Sequence, residues 1–204
     1  MITSLEARNL GCVRGGRPVF AGVDFSLAAG DVLSLHGPNG SGKSTLLRLL
    51  AAFLTPALGD IRWAGIDIRS NLAEHRARLH YVGHADGIKA LLSVKENLAF
   101  TCALNGAGKG ALDRALETFN LENLVDTPGR FLSSGQRRRL SLARLVACAR
   151  KVWLLDEPGV GLDTESRKRL EHAVDRHRAD GGITVLATHG DVQVTDTRVL
   201  ELSN

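Results

Sequence analysis

No stretch of the 204 residues approaches the roughly 20 consecutive apolar positions that a membrane-spanning helix needs. The longest candidate, Leu49 to Leu54, is bounded by Arg48. The opening segment, Met1 to Asn9, carries Glu6 and Arg8 and lacks an apolar stretch, so no secretory signal is expected. Cysteine is scarce: Cys12, Cys102 and Cys148 lie far apart, in no CxxC or CxxCH pattern. Such an odd, sparse set implies reduced thiols in a cytosolic compartment, packed chiefly as small buried hydrophobes. No internal repeat is visible, and NKxD, which reads guanine in GTPases, occurs nowhere. Aromatic residues make up only 4% of the chain. None interleaves with Arg137-Arg138-Arg139 as a stacking surface for nucleic acid would require, so that run is expected to be a solvated helix face.

What is present is the profile of a globular domain. Hydrophobic residues are 44% and charged residues 24%, which excludes disordered and fibrous classes. The length suits about one domain with a sizeable buried core. The net charge of +4 is compatible with nucleic acid, a phosphorylated ligand or an anionic surface, and selects none of them.

The strongest local signal is Gly37-Pro38-Asn39-Gly40-Ser41-Gly42-Lys43-Ser44-Thr45. It follows a short apolar strand, Val32 to His36, and precedes a helix beginning near Leu46, which is the setting a GxxxxGK[ST] phosphate loop requires. Its glycines permit backbone conformations and close approaches that a Cβ forbids. Its N–H groups and the helix N-terminus then face phosphate oxygens. Lys43 would reach the β- and γ-phosphates, Ser44 would bind Mg²⁺ and Thr45 would lie toward the α-phosphate. With the guanine element missing, the expected nucleotide is ATP.

Val152-Trp153-Leu154-Leu155 reads as a buried parallel strand ending in Asp156-Glu157. Open α/β sheets place ligands at such carboxyl ends. Asp156 would hold Mg²⁺ through water, and Glu157 would orient or deprotonate the attacking water. Leu132-Ser133-Ser134-Gly135-Gln136 precedes a stretch of helical periodicity, with Ser133 or Ser134 suited to cap it. A Ser-Gly pair at a helix N-terminus also suits a γ-phosphate.

In order along the chain, the loop at 37–45, Leu132-Ser133-Ser134-Gly135-Gln136, Leu155-Asp156-Glu157-Pro158, Gly161-Leu162-Asp163 and Ala187-Thr188-His189 resemble the motif set of ABC-transporter ATPase subunits. The resemblance covers essentially the whole chain. It implies an α/β fold, a RecA-like P-loop NTPase core with a small antiparallel β region and an inserted helical subdomain. Residues 1–204 would form a single ABC ATPase domain, with the core at 1–84 and 151–204 and the helical part at about 85–150. Within the latter, Leu112, Leu116 and Phe119 recur at helical spacing, and Gly106 to Gly110 is the expected flexible interruption.

The resemblance also implies a homodimeric nucleotide sandwich, in which Ser134, Gly135 and Gln136 close on the ATP held by the second subunit. Asp163 would lie on the loop that crosses the interface. His189 would hold the γ-phosphate and the attacking water, making Lys43, Glu157 and His189 the catalytic set. Where such ATPases commonly carry glutamine, this chain has His84 after Gly83. Where they carry an adenine-stacking aromatic, Val13 and Arg14 stand, with Phe20 nearby. Leu10 to Arg14, Tyr81 to His84, Gly87-Ile88-Lys89 and Leu92 to Leu98 resemble one branch, the ATP-binding subunits of the bacterial heme exporter of cytochrome c biogenesis.

That branch implies ATP and Mg²⁺ as cofactors, integral membrane subunits as partners and a peripheral place on the cytoplasmic face of the inner membrane. No nucleic acid is expected as partner, and no direct heme ligation. A soluble ABC ATPase acting on ribosomes or DNA, the ATPase of a different exporter, and a non-catalytic nucleotide-binding regulator are the competing readings.

Overall fold

The structure, a computed structural model, describes residues 3–108, 110–188 and 190–202. Two long strands open the chain, β1 (Ser4–Arg14) and β2 (Arg17–Ala28), pairing antiparallel from Ser4↔Ala28 to Arg14↔Arg17. Leu5, Ala7, Leu10 and Cys12 of β1 are buried with Phe20, Val23 and Leu27 of β2. A register shift between Ala7 and Leu10 breaks the alternation, and Asn9 sits there at φ 47° with its N–H donating to Asp24 Oδ1 at 2.8 Å. β4 (Leu58–Trp63) and β5 (Ile66–Asp67) complete this sheet in the order β2-β1-β4-β5.

The second sheet is parallel. Its strands are β3 (Val32–His36), β6 (Leu79–Val82), β7 (Val152–Asp156), β8 (Ile183–Ala187) and β9 (Arg198–Glu201), in the order β6-β7-β8-β3-β9. Every residue of β7 and β8 is buried, as expected of strands covered on both faces. Successive side chains supply different cores. Leu33, Leu35, Leu154 and Val185 pack with helix α1 (Lys43–Leu50) and the antiparallel sheet. Val32, Trp153, Leu155 and Leu186 pack on the opposite face, against the helices.

Those helices are α2 (Leu72–Ala77), α3 (Val94–Asn105), α4 (Ala111–Thr118), α5 (Ser134–Ala147) and α6 (Thr164–Ala179). Among the described residues, the chain between β6 and β7 forms helices and short 3-10 turns and no strand. Leu116 and Phe119 are buried as their spacing requires, and Gly106 and Gly110, both at positive φ, end α3 and begin α4. Capping boxes start two helices: Ser93 with Glu96 for α3, and Ser133 with Gln136 for α5. Buried Asn97 donates to the carbonyls of Lys89, Leu92 and Ser93 and accepts from the Lys89 N–H, fixing the turn before α3. Cys12 and Cys148 are buried and Cys102 is half-buried. No helix among the described residues is long and apolar enough to cross a membrane.

Two imidazoles have a consequence for stability. Burial pushes the pKa of His80 and of His177 down to about 4, and a hydrogen bond from His80 to the Cys148 carbonyl at 2.9 Å opposes the shift only in part. In the unfolded chain each titrates near 6.5, so below that pH the unfolded state binds protons that the native state refuses. Their contribution is complete above about pH 6.5 and is lost as pH falls toward 4, at up to about 1.4 kcal/mol per pH unit for each group. The midpoint of urea unfolding should therefore drop steadily from pH 7 to pH 5. A flat profile there would contradict neutral, buried histidines.

Candidate functional site

The parallel sheet gathers the sequence-predicted residues at its carboxyl edge. β3 runs into residues 37–45, β6 into Gly83-His84, β7 ends on Asp156-Glu157, and β8 runs into Thr188. Because β8 pairs with β3 at Leu35↔Ala187 and with β7 at Asp156↔Ala187, the three ends stand level. Open α/β sheets bind ligands at such an edge.

The phosphate loop is built around missing side chains. A Cβ on Gly37 (φ 136°) would lie 2.3 Å from the Leu202 carbonyl oxygen, and one on Gly42 (φ 100°) would lie 2.8 Å from the Phe20 ring. Phe20 is thus committed to the core beneath the loop, whereas Val13 and Arg14 remain exposed. Gly42 begins α1 with no side-chain cap on its first amides. Lys43 is buried, and its Nζ donates to the carbonyls of Gly37 at 2.7 Å and Pro38 at 3.1 Å, folding the cation back over the loop. Ser41 Oγ is buried and has no hydrogen-bond partner among the described residues. Pro38, Asn39 and Gly40 form the outer turn, and Thr45 is buried on the first turn of α1.

Ser44 Oγ donates to Asp156 Oδ1 at 2.9 Å, across 112 positions of sequence. The other oxygen, Oδ2, accepts from the Tyr81 hydroxyl at 3.4 Å. Burial pushes the Tyr81 phenol above its ordinary pKa, so it remains a donor at neutral pH. His84 stands half-open with Nε2 at 3.8 Å from Asp156 Oδ2 and Nδ1 at 3.9 Å from Glu157 Oε2, facing both carboxylates. A hydroxyl beside a buried carboxylate is a hard-oxygen pair that suits Mg²⁺, an ion that keeps several waters and binds phosphate oxygens as well. Among the described residues no group of three candidate metal ligands occurs. Such a cation would accordingly be completed by phosphate and water.

Glu157 adopts φ 48°, a left-handed conformation that costs a non-glycine residue about 1–3 kcal/mol and persists only where its surroundings impose it. Here they do. Its N–H donates to the Ala187 carbonyl at 3.0 Å, and its carbonyl accepts from Arg138 Nη2 at 2.7 Å.

Arg138 overturns the expectation of a solvated arginine face: it is buried, 5% exposed. Its guanidinium also donates to the carbonyls of Pro158 at 3.1 Å, Gly83 at 2.8 Å and Asp156 at 3.2 Å, and to Asp86 Oδ1 at 3.4 Å. The neighbours serve the backbone too, Arg137 at the Leu132 carbonyl and Arg139 at those of Phe119 and Asn120. Five donors in a rigid fork can satisfy several inward-turned carbonyls at once, which a solvated chain would leave undone. The sequence reading missed Arg138 and Tyr81. For Arg138 a signal existed, since it lies four and seven positions before Leu142 and Leu145, on the buried stripe of α5.

The remaining motif residues lie at helix ends. Ser133, not Ser134, caps α5: its Oγ accepts from the Gln136 N–H at 3.2 Å, and Gln136 Oε1 accepts from the Ser133 N–H at 2.8 Å. Ser133 and Ser134 are exposed, and a Cβ on Gly135 would come within 3.1 Å of the Gly161 carbonyl oxygen. Asp163 caps α6 by accepting from the Ser166 N–H at 2.7 Å, and the Ser166 amide and hydroxyl hold its carboxyl below the usual range. Among the described residues no hydrogen bond joins Ser134, Gly135, Gln136 or Asp163 to the phosphate loop. His189 lies outside the described residues. Beside it, Thr188 Oγ1 donates to Asp191 Oδ1 at 2.6 Å and accepts from the Gly190 N–H.

Comparison with known proteins agrees with this geometry. The ABC transporter family profile matches residues 20–160. A cytochrome c biogenesis ATP-binding export protein CcmA of Rhodospirillum rubrum is 51% identical over 193 residues, covering 95% of this chain and 83% of that protein. Its namesake in Paramagnetospirillum magneticum is 50% identical, covering 98% and 94%. Among solved structures, a bacterial Atm1-family ABC exporter with ATP bound superposes with a TM-score of 0.86 at 27% identity, over all of this chain and 38% of that one. With the phosphate loop, the two carboxylates at the end of β7 and a match across most of its length, the chain belongs to the ABC transporter family as an ATP-binding, ATP-hydrolysing member.

Proposed function

We propose that the chain is the ATPase subunit of a membrane export complex of cytochrome c biogenesis and works as a homodimer with two ATP molecules at its interface. The observation that carries the dimer is that Ser134 is exposed at the start of α5 and that, among the described residues, no hydrogen bond joins Ser134, Gly135 or Gln136 to the phosphate loop of the same chain. A second copy supplies the missing half. The pathway rests on the two relatives that share about half of their residues with nearly the whole chain.

In this reading Lys43 leaves the carbonyls of Gly37 and Pro38 for the β- and γ-phosphates, and the amides of residues 40–45 line the phosphates. Ser44 and Asp156 would hold Mg²⁺, which would supply positive charge against the phosphates. Glu157 orients the attacking water and accepts its proton, with His189 at the γ-phosphate. His84 stands where it can hydrogen-bond to water between the carboxylates. From the second subunit, Ser134 and Gly135 approach the γ-phosphate while Gln136 steadies their helix end, and Asp163 crosses the interface. Residues 1–84 and 151–204 form the nucleotide-binding core, with about 85–150 as the helical part facing integral membrane subunits. The chain then sits peripherally on the cytoplasmic face of the inner membrane, and none of its own residues ligates heme.

The test is recovery of the tagged full chain from detergent-solubilised cells, with and without ATP. Integral membrane proteins should accompany it, and the purified chain should sediment as a dimer when ATP and Mg²⁺ are present. Recovery with ribosomes or DNA would replace the exporter reading. A chain that hydrolyses ATP while sedimenting only as a monomer would remove the two-copy site.

A further inference from the structure

At the opposite edge of the parallel sheet from the phosphate loop, a cavity of about 470 Å³ opens between α4, the end of α5 and α6. That volume falls within the roughly 300–1,000 Å³ of sites that take small organic ligands. Its floor is Trp153 from the start of β7, stacked on His177 of α6 with ring centroids 3.9 Å apart and planes 4° from parallel. Leu145 and Ala173 add apolar wall. Its rim carries Arg150, Lys151 and Arg176, against Asp180 as the one carboxylate of the lining.

Three features of this cavity are left open by the fold. Trp153 is 4% exposed, yet among the described residues its buried Nε1 has no acceptor and the buried His177 Nε2 has no partner. An indole N–H can only donate, and leaving it unpaired costs about 1–3 kcal/mol. The rim cations are not neutralised either. Arg150 donates to the Ala77 carbonyl and the Asn105 side-chain carbonyl, both uncharged, and Lys151 and Arg176 make no ion pair among the described residues. The third feature is direction: burial keeps the His177 ring neutral, so the charge sits at the mouth and the aromatic surface at the bottom.

We propose that this cavity is a second binding site, distinct from the nucleotide site, for an anionic small molecule with an apolar aromatic body. Its acidic oxygens are held by Arg150, Lys151 and Arg176, and its body lies against Trp153, whose Nε1–H donates to an acceptor on the ligand. Carboxylate, sulfonate and phosphate monoester groups share this chemistry. Titration in saturating ATP separates this cavity from the nucleotide site.

The probe is 1-anilinonaphthalene-8-sulfonate, titrated into the full chain carrying Trp63→Phe, so that Trp153 is the sole tryptophan, in saturating ATP with Mg²⁺. Saturable quenching of Trp153 with one probe per chain is expected. The uncharged counterpart N-phenyl-1-naphthylamine should bind about tenfold more weakly or worse. Arg176→Glu and Lys151→Glu, both at exposed positions, should each weaken the sulfonate by about tenfold, the order that reversing a charge a few ångströms from a bound anion gives in a solvated site. Competition by ATP, equal binding of the uncharged probe, or indifference to both charge reversals would each overturn the proposal.

Discussion

Replacing Glu157 by glutamine is expected to lower steady-state ATP hydrolysis by about 10²–10⁴-fold, the range associated with a positioned general base, while ATP binding stays near wild type. The substitution keeps the side chain's length and shape. It also leaves the backbone restraints untouched, because the bonds that impose φ 48° run through the Glu157 N–H and carbonyl to Ala187 and Arg138. The loss therefore reads the carboxylate alone. Lys43, Ser44 and Asp156 remain to hold nucleotide, so the variant should accumulate as an ATP-bound dimer. Equilibrium binding of a fluorescent ATP analogue, sedimentation and single-turnover hydrolysis separate the three effects. Undiminished turnover would strip Glu157 of its role.

The second large effect is structural. Arg138→Met is expected to destabilise the fold by about 3–5 kcal/mol, the usual cost of removing one partner from a buried charged network. For a domain of this size each kcal/mol lowers the melting temperature by about 2–4 °C, so a fall on the order of ten degrees should appear in thermal unfolding. Four carbonyls, of Gly83, Asp156, Glu157 and Pro158, would lose their donor together with the Asp86 carboxylate. Arg138→Lys should recover little of the loss, because an ammonium has three donors on a flexible stem and cannot span the fork. A melting temperature within a degree or so of wild type in either variant would mean that the loops after β6 and β7 hold themselves.

Much of this site was legible as sequence wherever backbone chemistry constrains residue type. The phosphate loop announces itself because glycine is the only residue that can approach Leu202 and Phe20 as Gly37 and Gly42 do. The β7 strand was legible because a strand buried on both faces has no polar alternation to hide in. The arginine run misled for an equally physical reason. Three adjacent cations usually face water, and only the 138–142–145 spacing records that the middle one turns inward. Phe20 was ambiguous because an aromatic before the loop serves either as platform or as core, and the choice depends on how β2 pairs with β1 and packs beneath Gly42. The antiparallel sheet came from resemblance, since the register shifts in β1 blur its alternation. Tyr81 carried no signal, because its partner Asp156 lies 75 positions on.

The strand order β6-β7-β8-β3-β9 has a consequence for synthesis. β3, which presents the phosphate loop, and β7, which presents the carboxylates, are both made well before β8, yet they never touch as neighbours. They stand two strand spacings apart, about 10 Å, with Ile183–Ala187 between them. As the chain leaves the ribosome, the two halves of the site remain unjoined until that five-residue strand slots into the gap. A nascent or truncated chain ending before it lacks the strand that joins β3 to β7 in one sheet. A copy ending before Ile183 should accordingly show no ATP hydrolysis.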